Sequence, residues 1–128
     1  MPLVTLTVRK PKTAEFKSAV FAAVHHALVT SGVPQTDRFQ RVLELGEDDF
    51  RFDLNYPDLA SPRDENFVLI EVLLSEGRSV KVKKKIAADI LAALAEGALR
   101  LNAENVMLCF KETRWENWSF GGGRFIHT

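Results

Sequence analysis

Two stretches of the chain follow one plan: an apolar strand, a polar break, a capped helix, a polar turn and a second strand. In the first, Val4, Leu6 and Val8 alternate with Leu3, Thr5 and Thr7, and Lys10-Pro11-Lys12 interrupts the run. Thr13 stands where a helix N-cap is wanted. The stripe Phe16, Val20, Ala23, Val24, Ala27 and Leu28 predicts a helix over about 14–30, stopped by Ser31-Gly32 and Pro34. A strand is expected over 39–45. In the second stretch, residues 67–74 are apolar at nearly every position, the pattern of a strand covered on both faces. Glu76-Gly77-Arg78 makes the turn and Ser79 caps a helix with Val82, Ile86, Ile90 and Leu94 one turn apart; a strand follows over 106–110. Val8 corresponds to Val72, Thr13 to Ser79, and the turn at 34–37 to that at 101–104. Each strand–helix–strand unit makes a parallel, right-handed crossover. The expected fold is therefore α+β, a two-layer α/β domain spanning 1–128: a duplicated β-α-β unit, with a four-stranded mixed sheet and both helices on one face. The repeats cover about 2–45 and 66–112, and an aromatic, Gly-rich segment over about 113–128 follows them.

Between the repeats, Phe50, Phe52 and Leu54 alternate with Arg51 and Asp53, which suggests a short extended piece among turns at Tyr56-Pro57-Asp58 and 61–64. With both helices on one face, the other sheet face is bare, and Leu3, Phe67 and Leu69 are expected on it. A bare apolar face with free edges calls for an oligomer. The tail, with Trp118, Phe120 and Gly121-Gly122-Gly123, is a natural clasp for a neighbouring subunit.

The formal net charge is zero, which gives no footprint for nucleic acid or another polyanion. No apolar run is long enough to span a membrane, and no basic-then-apolar leader opens the sequence. A single cysteine, Cys109, excludes an internal disulfide and fits a reducing compartment, so a cytoplasmic protein is expected. Cys109 itself reads as a core residue of its strand. His25 and His26 are adjacent on a helix and point apart, His127 lies in the tail, and no cluster has metal-ligand spacing. Lys83-Lys84-Lys85 reads as a solvated helix face. The triple glycine precedes no helix and is not a phosphate loop.

The sequence begins Met1-Pro2 and runs straight into the first strand. Without Met1, Pro2 carries a free secondary amine held by the fold. An α-amino group titrates at about 7.7–8.0 unperturbed, and burial or nearby cations lower that value. A base near neutrality suits proton transfer at working pH. The plainer reading is that Pro2 is simply a common second residue that permits methionine removal.

The Pro2 start resembles the tautomerase superfamily, in its longer-chain branch related to malonate semialdehyde decarboxylase, when taken with four further blocks. These are Val33-Pro34-Gln35-Thr36-Asp37-Arg38-Phe39-Gln40, Asn55-Tyr56-Pro57, Glu76-Gly77-Arg78-Ser79 and Glu116-Asn117-Trp118-Ser119-Phe120-Gly121-Gly122-Gly123. The resemblance implies a homotrimer of β-α-β repeats with sites near subunit boundaries, no cofactor, and a small-molecule carboxylate as substrate. It implies proton chemistry at Pro2, a carboxylate-binding role for Arg78, and a water-orienting acid at Asp37. One departure stands out: the decarboxylase has a second arginine where this chain has Glu76, a charge that opposes an acidic substrate.

On this resemblance Pro2, Arg78 and Asp37 are the expected catalytic residues. Arg78 forks onto a carboxylate through paired hydrogen bonds; from spacing alone it is more readily a solvated turn arginine beside Glu76. Asp37 accepts a hydrogen bond from water or a substrate hydroxyl, or else ties its own turn. Arg38, Tyr56, Trp118 and Phe120 are the expected substrate-binding set, although Trp118 and Phe120 also suit interface packing. Three functions compete: a cofactor-independent tautomerase of a small 2-oxo acid, a decarboxylase or hydratase of a three-carbon acid, and a non-catalytic trimeric binding protein.

Overall fold

A computed structural model describes residues 1–126; His127 and Thr128, the last two residues of the expected clasp, lie outside the described residues. Six elements carry the fold: β1 (Leu3–Arg9), α1 (Ala14–Thr30), β2 (Phe39–Leu45), β3 (Val68–Ser75), α2 (Val80–Glu96) and β4 (Val106–Thr113). The sheet order is β2-β1-β3-β4. β1 runs parallel to β2, β3 runs parallel to β4, and β1 and β3 meet antiparallel at the centre. The two halves are thus related about the β1–β3 seam, as the duplication predicts.

The helices start where their caps stand. The Thr13 hydroxyl accepts from the Phe16 N–H at 3.0 Å, and the Ser79 hydroxyl from the Val82 N–H at 3.2 Å. Val4, Leu6 and Val8 of β1 and Val68, Ile70, Val72 and Leu74 of β3 face the helices and are buried against Val20, Val24 and Leu28 of α1 and Ile86, Ile90 and Leu94 of α2. Glu44 bolts the end of β2 to the start of α1, accepting from Lys17 Nζ at 2.6 Å and the Lys12 N–H at 2.7 Å.

The opposite face carries three rows in register across all four strands: Leu43, Thr7, Leu69 and Met107; Arg41, Thr5, Glu71 and Cys109; Phe39, Leu3, Leu73 and Lys111. Cys109 is half-buried in the middle row and not in the helix-covered core expected for it, because core positions on β4 are Val106, Leu108 and Phe110. The middle row is polar. Arg41 Nε donates to the Thr5 hydroxyl at 2.9 Å, and Glu71 pairs with Lys111 from the next row.

Two expectations about the middle of the chain fail. No strand forms between 46 and 66. Instead, Asp53 accepts from the N–H groups of Asn55 and Tyr56 at 2.9 and 2.7 Å, and Arg63 donates to the carbonyls of Asp53 and Tyr56. These local bonds satisfy the backbone without a sheet partner. Phe67 is not on the bare face as exposed surface: it is 3% exposed, roofed by Phe52 and Phe50 at ring-centroid distances of 4.3 and 5.8 Å. Arg9 and Arg63 stack on this aromatic group.

Ile70 is wholly buried at the seam. Ile70→Ala is expected to cost about 2–5 kcal/mol, read as a lowered midpoint in urea. The bonds to Lys17 and then Lys12 hold the Glu44 carboxyl below its ordinary range. Its folded pKa is therefore below its unfolded value of about 4.3. The contribution is complete above that value and fades as pH falls through the folded pKa. Glu44→Gln is expected to reduce the acid-side loss of stability in melts taken from pH 6 to pH 3.

Candidate active site

The register of β1 with its neighbours determines what meets at one end of the sheet. Leu3 pairs with Phe39, so continuing one step outward sets Met1 beside Asp37. The contact is made: the Met1 ammonium lies 2.9 Å from Asp37 Oδ2. Met1 and Pro2 are both buried, and the Met1 side chain is only 3% exposed. The chain's amino end is thus sheltered inside the protein.

The turn that presents Asp37 is itself anchored. The Asp37 N–H donates to the Pro34 carbonyl at 3.0 Å, and Gly32, at φ +114°, lets the chain reverse directly after α1. His25, buried on α1, donates from Nε2 to the Gln35 carbonyl at 2.9 Å. His25 is therefore a structural link between helix and turn. Asp37 Oδ1 is buried and has no hydrogen-bond partner among the described residues.

Arg78 follows the end of β3 and is half-buried. Its Nη1 approaches the Ser75 carbonyl at 3.5 Å, and no carboxylate among the described residues pairs with it. α2 begins at Val80 with no acidic residue in its first turn, so the positive end of the helix adds to the Arg78 field. Glu76 is exposed, and its N–H is spent on the Thr113 carbonyl at 2.8 Å.

After β4 the chain turns through Trp115–Asn117 and crosses back over its own sheet. Phe120 packs on Phe39 of β2 at 5.9 Å and on Trp118 at 6.0 Å. The result is a cavity of about 560 Å³ lined by Met1, Asp37, Arg78, Phe39, Trp115 and Phe120, with Val33, Pro34 and Ile126 among its other walls. Trp118 lines a smaller adjoining recess of about 190 Å³ with Leu3 and Phe39.

Of the residues singled out from sequence, Asp37, Arg78 and Phe120 line the main cavity around Met1, and Trp118 stands next door; Pro2 is buried and does not itself line the cavity. Arg38 and Tyr56 are not among the lining residues of this chain. Arg38 is exposed on the turn, and Tyr56 is 74% exposed in the 46–66 loop. Glu76, expected to oppose an acidic substrate, does not line the cavity either. Sequence reading passed over Trp115 and Ile126 as walls. The tail that carries them has no periodicity, and only its fold-back onto Phe39 reveals their place.

These features define a duplicated β-α-β protein whose pocket is built around its own amino end, the class to which the tautomerases belong. The chain is a member of the tautomerase enzyme family Tautomerase_2, which matches residues 37–121. It is 26% identical over 125 residues to the probable tautomerase YusQ of Bacillus subtilis (strain 168), spanning 97% of this chain and 96% of that one. The crystal structure of FG41 malonate semialdehyde decarboxylase inhibited by 3-bromopropiolate superimposes with a TM-score of 0.86 at 27% identity, covering 96% of this chain and 92% of that one. A malonate semialdehyde decarboxylase described with decarboxylase and hydratase activities superimposes with a TM-score of 0.88 at 25% identity, covering 98% and 95%. A symmetric trimer of fused 4-OT, 19% identical with a TM-score of 0.73 over 95% and 94% of the two chains, shares the fold.

The Phe120–Phe39 contact anchors the tail. Phe120→Ala is expected to release it, read as faster tryptic cleavage after Arg114 with the melting of the sheet core little changed.

Proposed function

We propose that the protein is a cofactor-independent tautomerase of a 2-oxo acid, with the Pro2 nitrogen as general base and acid once Met1 is removed. The observation that carries this reading is the 2.9 Å pair between the chain's amino end and Asp37 inside a cavity that also holds Arg78. With Met1 in place the Pro2 nitrogen is an amide and has no basic lone pair. With Met1 gone, its volume is vacated and a secondary amine takes the sheltered position.

In the enol-to-keto direction the neutral amine takes the enol O–H proton. The oxygen's electron pair closes the carbonyl, the carbon–carbon π pair moves to the far carbon, and the ammonium returns a proton there. One group accepts and donates, so proton count and charge balance without a second reactant. Arg78 anchors the substrate carboxylate through a paired hydrogen bond and lowers the energy of the developing enolate. Asp37 orients the amine or a bound water with its two oxygens. Phe120, Trp115 and Trp118 exclude solvent, which favours the neutral amine. Arg38 and Tyr56 would reach substrate only across a subunit boundary.

The bare sheet face supports a homotrimer. Leu43 and Met107 are 46% and 48% exposed there, and a second copy would cover them. A decarboxylase or hydratase of a three-carbon acid is the second reading. It is favoured by the likeness to the malonate semialdehyde decarboxylases and by Asp37 Oδ1, which has no partner among the described residues and suits a bound water.

The test follows ketonisation of phenylenolpyruvate by ultraviolet absorbance, using protein whose first residue is Pro2. Pro2→Ala is expected to lower kcat at least about 100-fold, and Arg78→Ala to raise KM with a smaller fall in kcat. A Pro2→Ala protein as fast as its parent sinks the proposal. Leu43→Asp is expected to shift the sedimenting species to a protomer and to lower activity with it.

A further inference from the structure

Ser75 closes β3 and is wholly buried, yet its hydroxyl has no hydrogen-bond partner among the described residues. A buried hydroxyl is ordinarily paired, and an unpaired one asks for an explanation. Its place in the sheet supplies one. The antiparallel register ends at Leu3 opposite Leu73; carried two residues further it would set Met1 opposite Ser75. The equivalent step on the parallel side points Met1 toward Asp37, and the 2.9 Å ion pair there agrees with that direction. Side chains alternate along a strand, so Ser75 shares the open face with Leu73, and Met1 shares it with Leu3. Met1 is 6% exposed and Ser75 is 0% exposed. Met1 lines the cavity and Ser75 does not, so on this register removing Met1 would open the space opposite Ser75 to the cavity. The Ser75 carbonyl already receives Arg78 Nη1, so the same residue touches the anchoring guanidinium from its other side.

The site as described has a guanidinium for a carboxylate, an acid and an amine. Among the described lining residues its neutral side-chain donors are the Thr36 hydroxyl, on the turn before Asp37, and the Trp115 indole N–H, on the tail; neither stands in the sheet beside the amino end. We propose that Ser75 is a further catalytic residue: after Met1 is removed, its hydroxyl donates a hydrogen bond to the enol or carbonyl oxygen of the substrate held beside the Pro2 nitrogen. This rests on the tautomerase reading above. The hydroxyl keeps its own proton throughout. It contacts the oxygen while the Pro2 nitrogen takes and returns the transferred proton, so its effect is selective for the state in which that oxygen carries charge.

The experiment uses protein beginning at Pro2, with phenylenolpyruvate as the probe, and compares the parent, Ser75→Ala and Ser75→Cys. Loss of one such donor is expected to lower kcat about 100-fold with KM changed by less than about threefold. Ser75→Cys, a weaker donor of similar shape, is expected to fall between alanine and the parent. Ser75→Ala is also expected to melt no lower than the parent, because it removes an unsatisfied buried group. If alanine leaves kcat unchanged, or changes only KM, the hydroxyl plays no part in the charged state and the proposal is overturned while the tautomerase reading stands. If alanine does not fold, the cysteine variant decides: full parental kcat there overturns the proposal, and a selective fall in kcat supports it. A parent that turns over no enol at all defeats the tautomerase reading, and the Ser75 proposal with it.

Discussion

The antiparallel seam between β1 and β3 is the constraint from which the rest follows. Each strand is the first of a β-α-β unit, and pairing them head to tail places the start of β1 beside the end of β3. The start of β1 is the amino end of the chain. The end of β3 leads through Glu76 and Gly77 into Arg78 and the N-terminus of α2. The parallel partner β2 brings Asp37 to the same end from the other side. An amine, a carboxylate and a guanidinium therefore converge without any long loop to position them. The seam holds because Val4, Leu6, Val8, Ile70 and Val72 are buried against two capped helices. Slipping either strand by one residue would turn these side chains to the bare face.

The charges at that end are arranged with little redundancy. Asp37 holds the Met1 ammonium through one oxygen and leaves the other unpartnered among the described residues. Arg78 faces the cavity with no carboxylate partner among those residues. A half-buried guanidinium at the cavity wall suits an anionic guest, and the positive end of α2 acts in the same direction. The aromatic tail supplies the walls. Its packing on Phe39 links the cavity to the edge strand of the sheet.

Most of the fold was legible in the sequence because its signals are local. Thr13 and Ser79 cap where they stand in the text, and the alternation in β1 and the stripes of both helices report the core directly. The failures share one cause. Alternation at Phe50, Phe52 and Leu54 resembles a strand, but Asp53 and Arg63 bond the loop to itself, and Phe50 and Phe52 go to Phe67 instead of a ladder. Cys109 sits in an apolar strand, and only the register shows that it falls on the odd face. The site was legible in part. Asp37 and Arg78 follow from the resemblance and meet at one cavity, whereas Trp115, Ile126 and Ser75 had no signal in the text. Their positions depend on a tail that folds back and on pairing across the seam, which a single sequence does not print.

The central claim is that the chain's own amino end is the reacting group. It is tested most directly by preparing the same protein in two forms, verified by intact mass, one retaining Met1 and one beginning at Pro2, and measuring enol ketonisation by each. The account predicts turnover only in the form that begins at Pro2, with the Met1 form correctly folded and inactive. Equal turnover by the two forms would contradict it.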